Sequence, residues 1–157
     1  MTNVYQYYDL VVWSQTSWRW LEMKLTELGM LTHPGYKFCF VLDKTSMFAV
    51  TSTKKDGTTF RHHVKPLQII WSKFPRWNVH NTAHVDDLRR NFALNLKSGL
   101  KVSGYYRKKS SARRDSELMG LARFLEMLAK ECNDFTEVDF RIWMDIVSGK
   151  VPFKNNK

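Results

Sequence analysis

A chain that carries Tyr-Asp-Leu-Val-Val-Trp at Tyr8 to Trp13 has few folds open to it. The run is short, nearly all apolar, and rich in β-branched and aromatic residues. That pattern predicts a strand buried on both faces, the situation of a parallel sheet covered by helices. Ser14-Gln15-Thr16-Ser17 follows and offers several helix caps. From Trp18 the apolar positions Leu21, Leu25 and Leu28 fall at helical spacing, and Gly29 marks the stop. Strand, polar turn and helix in that order predict an α/β fold.

The remaining chain extends the same pattern. Tyr36 to Leu42 is a second strand candidate and Met47 to Thr51 a third. Asp56-Gly57 carries the signal of a tight turn, so Met47 to Thr51 and Phe60 to Val64 are expected to pair as a hairpin. Lys65-Pro66 ends that strand, because a residue before proline is barred from helix while proline suits a helix start. Leu67 to Phe74 is then a short helix closed by Pro75. Thr82 to Val85 predicts a strand ending at the doublet Asp86-Asp87, and Leu100 to Val102 a brief strand after the turn at Gly99. Ser116 to Glu131 has an amphipathic stripe of Leu118, Leu121, Ala122, Leu125, Leu128 and Ala129. Asp134 to Val147 predicts a second helix, and the tail after Gly149 is polar.

Size and composition set the class. At 157 residues, 43% of them hydrophobic, the chain can bury one real core and is not a disordered segment. It holds no run of about 20 apolar residues, so no membrane crossing is expected. The first residues have neither the basic region nor the apolar core of a signal peptide. Cys39 and Cys132 lie far apart within apolar patterns, which predicts reduced core residues of a cytosolic or nuclear protein. Twenty-five basic against 15 acidic residues give a net charge of +10, enough to attract an acidic partner. Much of it falls in Tyr106 to Arg114, a run expected to be a solvated loop.

Three polar stations stand at the ends of apolar strands: Ser14, Lys65 and the pair Asp86/Asp87. Ligands of open parallel sheets bind at the carboxyl edge of the strands, where residues distant in sequence converge. Adjacent carboxylates repel each other, so a fold that keeps them together binds a cation or uses the proton. Magnesium suits them, since it takes one or two carboxylates and fills its other positions with water and phosphate oxygens. A hydroxyl and an ammonium would complete a phosphate site. Read singly, each residue has a plainer explanation. Ser14 is then a cap or turn residue, Lys65 an exposed lysine at a helix start, and the acid pair a solvated turn. His80 and His84 would share one face of a strand, and His62-His63 an exposed pairing surface. No Cys or His set has zinc-ligand spacing.

Taken together, these stretches resemble the aspartate-dependent phosphatases of the haloacid dehalogenase superfamily. The match is to the branch of the ubiquitin-like domain-containing CTD phosphatases. It rests on Tyr-Asp-Leu-Val-Val-Trp-Ser-Gln-Thr-Ser (8 to 17), Val-Lys-Pro-Leu (64 to 67) with Ile-Trp-Ser-Lys-Phe (70 to 74), and Asn-Thr-Ala-His-Val-Asp-Asp-Leu-Arg-Arg-Asn-Phe (81 to 92). Ser-Gly-Leu-Lys-Val (98 to 102) and the helix from Glu117 continue it. The resemblance implies a partial haloacid dehalogenase (Rossmann-like) domain over residues 5–149. Its parts would be a central, mostly parallel sheet, a β-hairpin insertion, C-terminal helices and a polar tail at 150–157. It makes Ser14 the phosphate-binding hydroxyl, Lys65 the phosphate-facing lysine, and Asp86 and Asp87 the magnesium-side acids. It further implies phosphoserine or phosphothreonine protein substrates, a nuclear location and association with the 26S proteasome. It implies neither a membrane nor a nucleic-acid partner.

The chain departs from that family in one respect that matters most. The family's nucleophile lies in an Asp-x-Asp-x-Thr segment, and no such run occurs in these 157 residues: Asp9 precedes Leu-Val-Val and Asp43 precedes Lys-Thr-Ser. His84 stands where an apolar residue is expected, and Ser103-Gly104-Tyr105 where a basic-Pro-aromatic turn is. Covalent phosphoryl transfer needs an attacking carboxylate and a group to handle the leaving-group proton. The isolated chain is therefore expected to be inactive. The strand that carries the nucleophile is central in the family's sheet, so its neighbours are expected to expose unpaired edges. A non-catalytic basic adaptor for acidic protein or nucleic acid is the competing reading.

Overall fold

The computed structural model describes residues 1–106 and 113–153. Most of the basic run, residues 107–112, and the end of the polar tail, residues 154–157, lie outside the described residues. The chain divides into two compact units, Met1–Lys65 and Pro66–Lys157, and is a mixture of helices with small parallel and antiparallel sheets. The described strands form three two-stranded sheets and not one continuous central sheet.

In the first unit a short helix, α1 (Thr2–Tyr5), precedes β1 (Leu10–Trp13), α2 (Trp18–Glu27) and β2 (Phe38–Leu42). β1 and β2 are parallel, with Val11 opposite Phe40 and Trp13 opposite Leu42. The parallel pairing follows from the helix between them, which returns the chain to the same end of the sheet. All four residues of β1 are half-buried, where burial on both faces was expected. With a single partner strand, β1 has one edge that this sheet does not cover. α2 buries Leu21 and Leu25, whereas Leu28, beyond the last helical turn, is exposed. Cys39 is also exposed, contrary to the core role expected of it, and its thiol donates to Asp9 Oδ1 at 3.5 Å.

β3 (Phe48–Thr53) and β4 (Thr59–Val64) pair antiparallel from Phe48 opposite Val64 to Thr53 opposite Thr59. Asp56 closes the turn by accepting from the Thr58 N–H and hydroxyl, and Gly57 takes the positive φ of 83° that a side chain resists. Alternation along these strands gives two unlike faces. Ala49, Thr51, Arg61 and His63 are exposed, while His62 and Val64 are buried. His62 is thus not exposed pairing surface: its Nε2 meets the Ser52 hydroxyl at 2.8 Å.

The second unit holds α3 (Gln68–Lys73), β5 (His84–Asp86), β6 (Gly99–Lys101), α4 (Glu117–Glu131) and α5 (Trp143–Val147). β5 and β6 are parallel, with Asp86 opposite Lys101. α4 buries Leu121, Phe124 and Leu128 and leaves Leu118 70% exposed. Its inward stripe is therefore rotated from the one the leucine spacing suggested, with Phe124 at its centre. Phe124 meets Phe140, Trp143 and Phe153 at ring distances of 5.9 to 6.4 Å. The Trp143 indole N–H donates to the Lys101 carbonyl at 2.9 Å, tying α5 to β6.

The helix expected over Asp134 to Val147 is broken into two 3₁₀ turns, Phe135–Glu137 and Phe140–Ile142, before α5. Asp134 and Asp139 explain the breaks. Each accepts from the N–H two residues ahead, Thr136 and Arg141, in an extended conformation. Aspartate competes with the helical backbone in this way and restarts the chain.

Candidate functional site

Each station expected from the sequence ends a strand. Ser14 follows β1, Lys65 follows β4, and Asp86 is the last residue of β5. Ser14 and Lys65 belong to the first unit, Asp86 and Asp87 to the second.

The Ser14 N–H continues the β1–β2 ladder by donating to the Leu42 carbonyl at 2.9 Å. Its hydroxyl lies 2.8 Å from the Thr16 hydroxyl and accepts from the Thr16 N–H at 3.1 Å. Two half-buried hydroxyls therefore sit just before the N-terminus of α2, where backbone N–H groups favour an anion. Asp43 reaches across from the end of β2 to accept the Trp18 N–H at 2.9 Å, so part of that terminus is already capped. Bonds to Thr45 hold the Asp43 carboxyl below the usual carboxylate range. Thr16 was noticed in the sequence only as a cap; its pairing with Ser14 depends on the turn the two residues form.

Lys65 is buried at 7% exposure, between buried Val64 and Pro66. The plain reading of an exposed lysine is overturned. A buried ammonium requires a partner, and Lys65 is among the residues that have one.

The acid pair divides. Asp86 is buried at 8% exposure and Asp87 is exposed. Both Asp86 oxygens accept from the Asn91 side-chain amide at 2.9 Å, and Oδ1 also accepts the Leu88 N–H at 2.8 Å. Asn91 gets there because the 3₁₀ turn Arg89–Phe92 folds back beneath the end of β5. His84 stands on the same strand with Nε2 3.8 Å from Asp86 Oδ2, its ring edge-on to Phe92. Gly99 allows this packing, since a Cβ there would lie 2.4 Å from the Phe92 ring. Asp87 instead faces the backbone at Gly104, where a Cβ would lie 3.2 Å from its Oδ2. His80 does not share a face with His84. It lies in the turn before β5, its Nδ1 2.8 Å from Asp134 Oδ2.

The donor set can be tested against magnesium. Asp86 accepts three hydrogen bonds from amide donors, which still leaves it acceptor capacity, while Asp87 is exposed. Among the described residues no three His, Cys, Asp or Glu side chains form a metal-holding group. Magnesium accepts one or two protein carboxylates beside water and phosphate, so Asp87 fits one position of such a site and not a cage by itself. Cysteine chemistry is no substitute. Burial pushes the Cys132 thiol up, and it donates to the Asp134 carbonyl at 3.0 Å.

Comparison with known proteins gives one family and several relatives. A family model described as NLI interacting factor-like phosphatase matches residues 1–136. Ubiquitin-like domain-containing CTD phosphatase 1 of Drosophila melanogaster is 38% identical over 143 residues, covering 91% of this chain and 43% of that protein. The protein of the same name from Rattus norvegicus is 36% identical over 151 residues, 96% of this chain and 46% of the relative. The Homo sapiens protein is 35% identical over 151 residues, with the same coverage. The chain thus spans less than half the length of the curated relatives it matches.

Proposed function

Because this chain belongs to the NLI interacting factor-like phosphatase family, we propose that residues 5–149 are the C-terminal portion of a magnesium-dependent protein serine/threonine phosphatase. Its substrates are phosphoserine and phosphothreonine proteins, its location the nucleus, and its partner the 26S proteasome. The observation that carries this reading is the match to the phosphatase family over residues 1–136, beside which Ser14, Lys65 and Asp86 each stand at or just past the end of a strand.

Ser14, with Thr16 beside it, donates to a phosphoryl oxygen at the start of α2. Lys65 offsets phosphoryl charge, which its burial strengthens by excluding water. Asp87 is the magnesium-side acid, and Asp86 positions it through the Asn91 and Leu88 bonds. Magnesium, when bound, neutralises charge on the phosphoryl oxygens. No Asp-x-Asp-x-Thr run occurs within these 157 residues, so the isolated chain binds phosphate without hydrolysing its esters.

An assay with a phosphoserine peptide and magnesium tests the inactivity. No phosphate release is expected, and turnover abolished by Asp87→Asn would overturn it. The net charge of +10 favours a second reading, a non-catalytic basic adaptor. Salt-dependent binding to arbitrary nucleic acid, with no response to phosphate, is its signature.

A further inference from the structure

The basic run Tyr106 to Arg114 has no part in the candidate site. It leads straight into Asp115 and Ser116, the residue at the head of α4. Arg113 and Arg114 therefore stand three and two residues before a serine hydroxyl. A protein kinase with an acidic substrate groove reads such spacing. The paired guanidinium forks lock to its carboxylates while the hydroxyl meets the phosphoryl group to be transferred.

Four positions make a short pattern, and access decides whether it can be used. Arg113, Arg114, Asp115 and Ser116 are all exposed. Among the described residues neither arginine forms an ion pair, and the Ser116 hydroxyl makes no capping bond to α4. A serine at the head of a helix ordinarily accepts an N–H of the first turn. Here Asp115 Oδ1 takes the Glu117 N–H instead, at 2.9 Å. The four residues lie between Lys101, the last of β6, and Glu117, the first of α4. An enzyme can seat them without opening a sheet or the body of a helix.

The charges around the hydroxyl are mixed. Arg113 and Arg114 precede it and Lys150 lines the same hollow, together with Asp115, Glu117 and Asp145. Asp145 faces Lys150 at 3.5 Å, and Glu117 accepts the Ser103 N–H at 2.9 Å. Three cations against three carboxylates give no net bias, so a phosphate here neither melts nor strengthens α4 by charge alone. Its effect falls on the run. Residues 106–114 carry five cations, Arg107, Lys108, Lys109, Arg113 and Arg114, and no acid. A phosphoserine of about −1.5 to −2 beside them offsets much of that charge.

We propose that Ser116 is a phosphorylation site for an arginine-directed protein kinase, and that its phosphate lowers the attraction of the run for acidic partners. The γ-phosphoryl group of ATP passes to Ser116 Oγ. The new O–P bond forms as the bond to ADP breaks, and the hydroxyl proton goes to the catalytic base of the kinase. The site does not rest on the phosphatase reading, since no residue of the candidate site takes part.

The test is incubation of the full chain with magnesium-ATP and an arginine-directed serine kinase of the cyclic-AMP-dependent type, beside an acid-directed kinase. Peptide mass spectrometry locates the modified residue. One phosphate, on Ser116, is expected from the first enzyme. The double variant Arg113→Ala/Arg114→Ala lowers the initial rate at least about tenfold, through loss of two charge-assisted contacts. Ser116→Ala takes up none. The phosphorylated chain leaves immobilised heparin at lower salt than the unmodified chain. Thermal melts establish that the variants are folded, and the comparison of the two kinases on the unaltered chain needs no variant. Phosphate on Ser110 or Ser111 in place of Ser116 overturns the site. So does labelling that the arginine variant leaves unchanged, labelling by the acid-directed kinase alone, or labelling that requires prior unfolding. Unchanged elution from heparin overturns the effect on the run.

Discussion

At Asp86 both carboxylate oxygens accept the Asn91 amide and Oδ1 also accepts the Leu88 N–H, so truncation leaves the buried Asn91 amide and the part-buried Leu88 N–H without their acceptor. Asp86→Ala is expected to cost roughly 2–4 kcal/mol, the desolvation of those donors. Asp87→Ala, at an exposed position, should stay within about 0.5 kcal/mol. Thermal melts of the two variants separate the roles; equal losses would refute the division. A second residue-scale expectation concerns acid. Asp43, Asp56, Asp134 and Asp139 are all held below the usual carboxylate range, chiefly by side-chain donors at Thr45, Thr58, Thr136 and Arg141. A carboxylate depressed in the folded state contributes stability that is complete above its unfolded value, near pH 4, and fades as pH falls through the lowered one. The melting temperature should therefore drop below about pH 4, and Asp134→Asn should make that drop shallower; an unchanged profile would count against it. The strand-end positions of Ser14, Lys65 and Asp86 were legible in the sequence, because apolar runs and Pro66 mark where strands stop. The burial of Lys65 and the commitment of Asp86 were not, since both depend on neighbours that only folding supplies.

Elements follow the same rule. β1, α2 and β2 were legible from short apolar runs, helical spacing and caps. α4 was legible as a helix, and its inward face in part. Leucine spacing nominated Leu121 and Leu128, which are buried, but also Leu118, which is exposed, and it passed over Phe124, whose buried ring meets those of Phe140 and Trp143. Phe124→Ala should cost about 3–5 kcal/mol, as loss of a fully buried ring does. Leu118→Ala should cost under about 0.5 kcal/mol. Denaturant melts of the two variants check this; similar midpoints would contradict the inward face assigned to α4. The segment after Asp134 misled because its apolar spacing is helical, while two aspartates, at 134 and 139, bind the backbone N–H groups ahead of them. Local hydrogen bonding outcompeted periodicity there.

At the largest scale, the described residues form three two-stranded sheets where the family resemblance led to one central sheet. Two-stranded sheets are marginal without further packing, and the half-buried residues of β1 are what an incompletely covered strand shows. This agrees with a chain that matches the family model over residues 1–136 yet carries no Asp-x-Asp-x-Thr run. The function proposed above makes Ser14, Lys65 and Asp87 the hydroxyl, ammonium and carboxylate stations for a phosphoryl group. Calorimetric titration of the full chain with inorganic phosphate, with and without magnesium, addresses this most directly. Saturable binding that requires magnesium and weakens at least about tenfold in each of Ser14→Ala, Lys65→Met and Asp87→Asn is expected, each variant removing a charge-assisted contact. Binding that none of the three variants disturbs, or no binding at all, would contradict it.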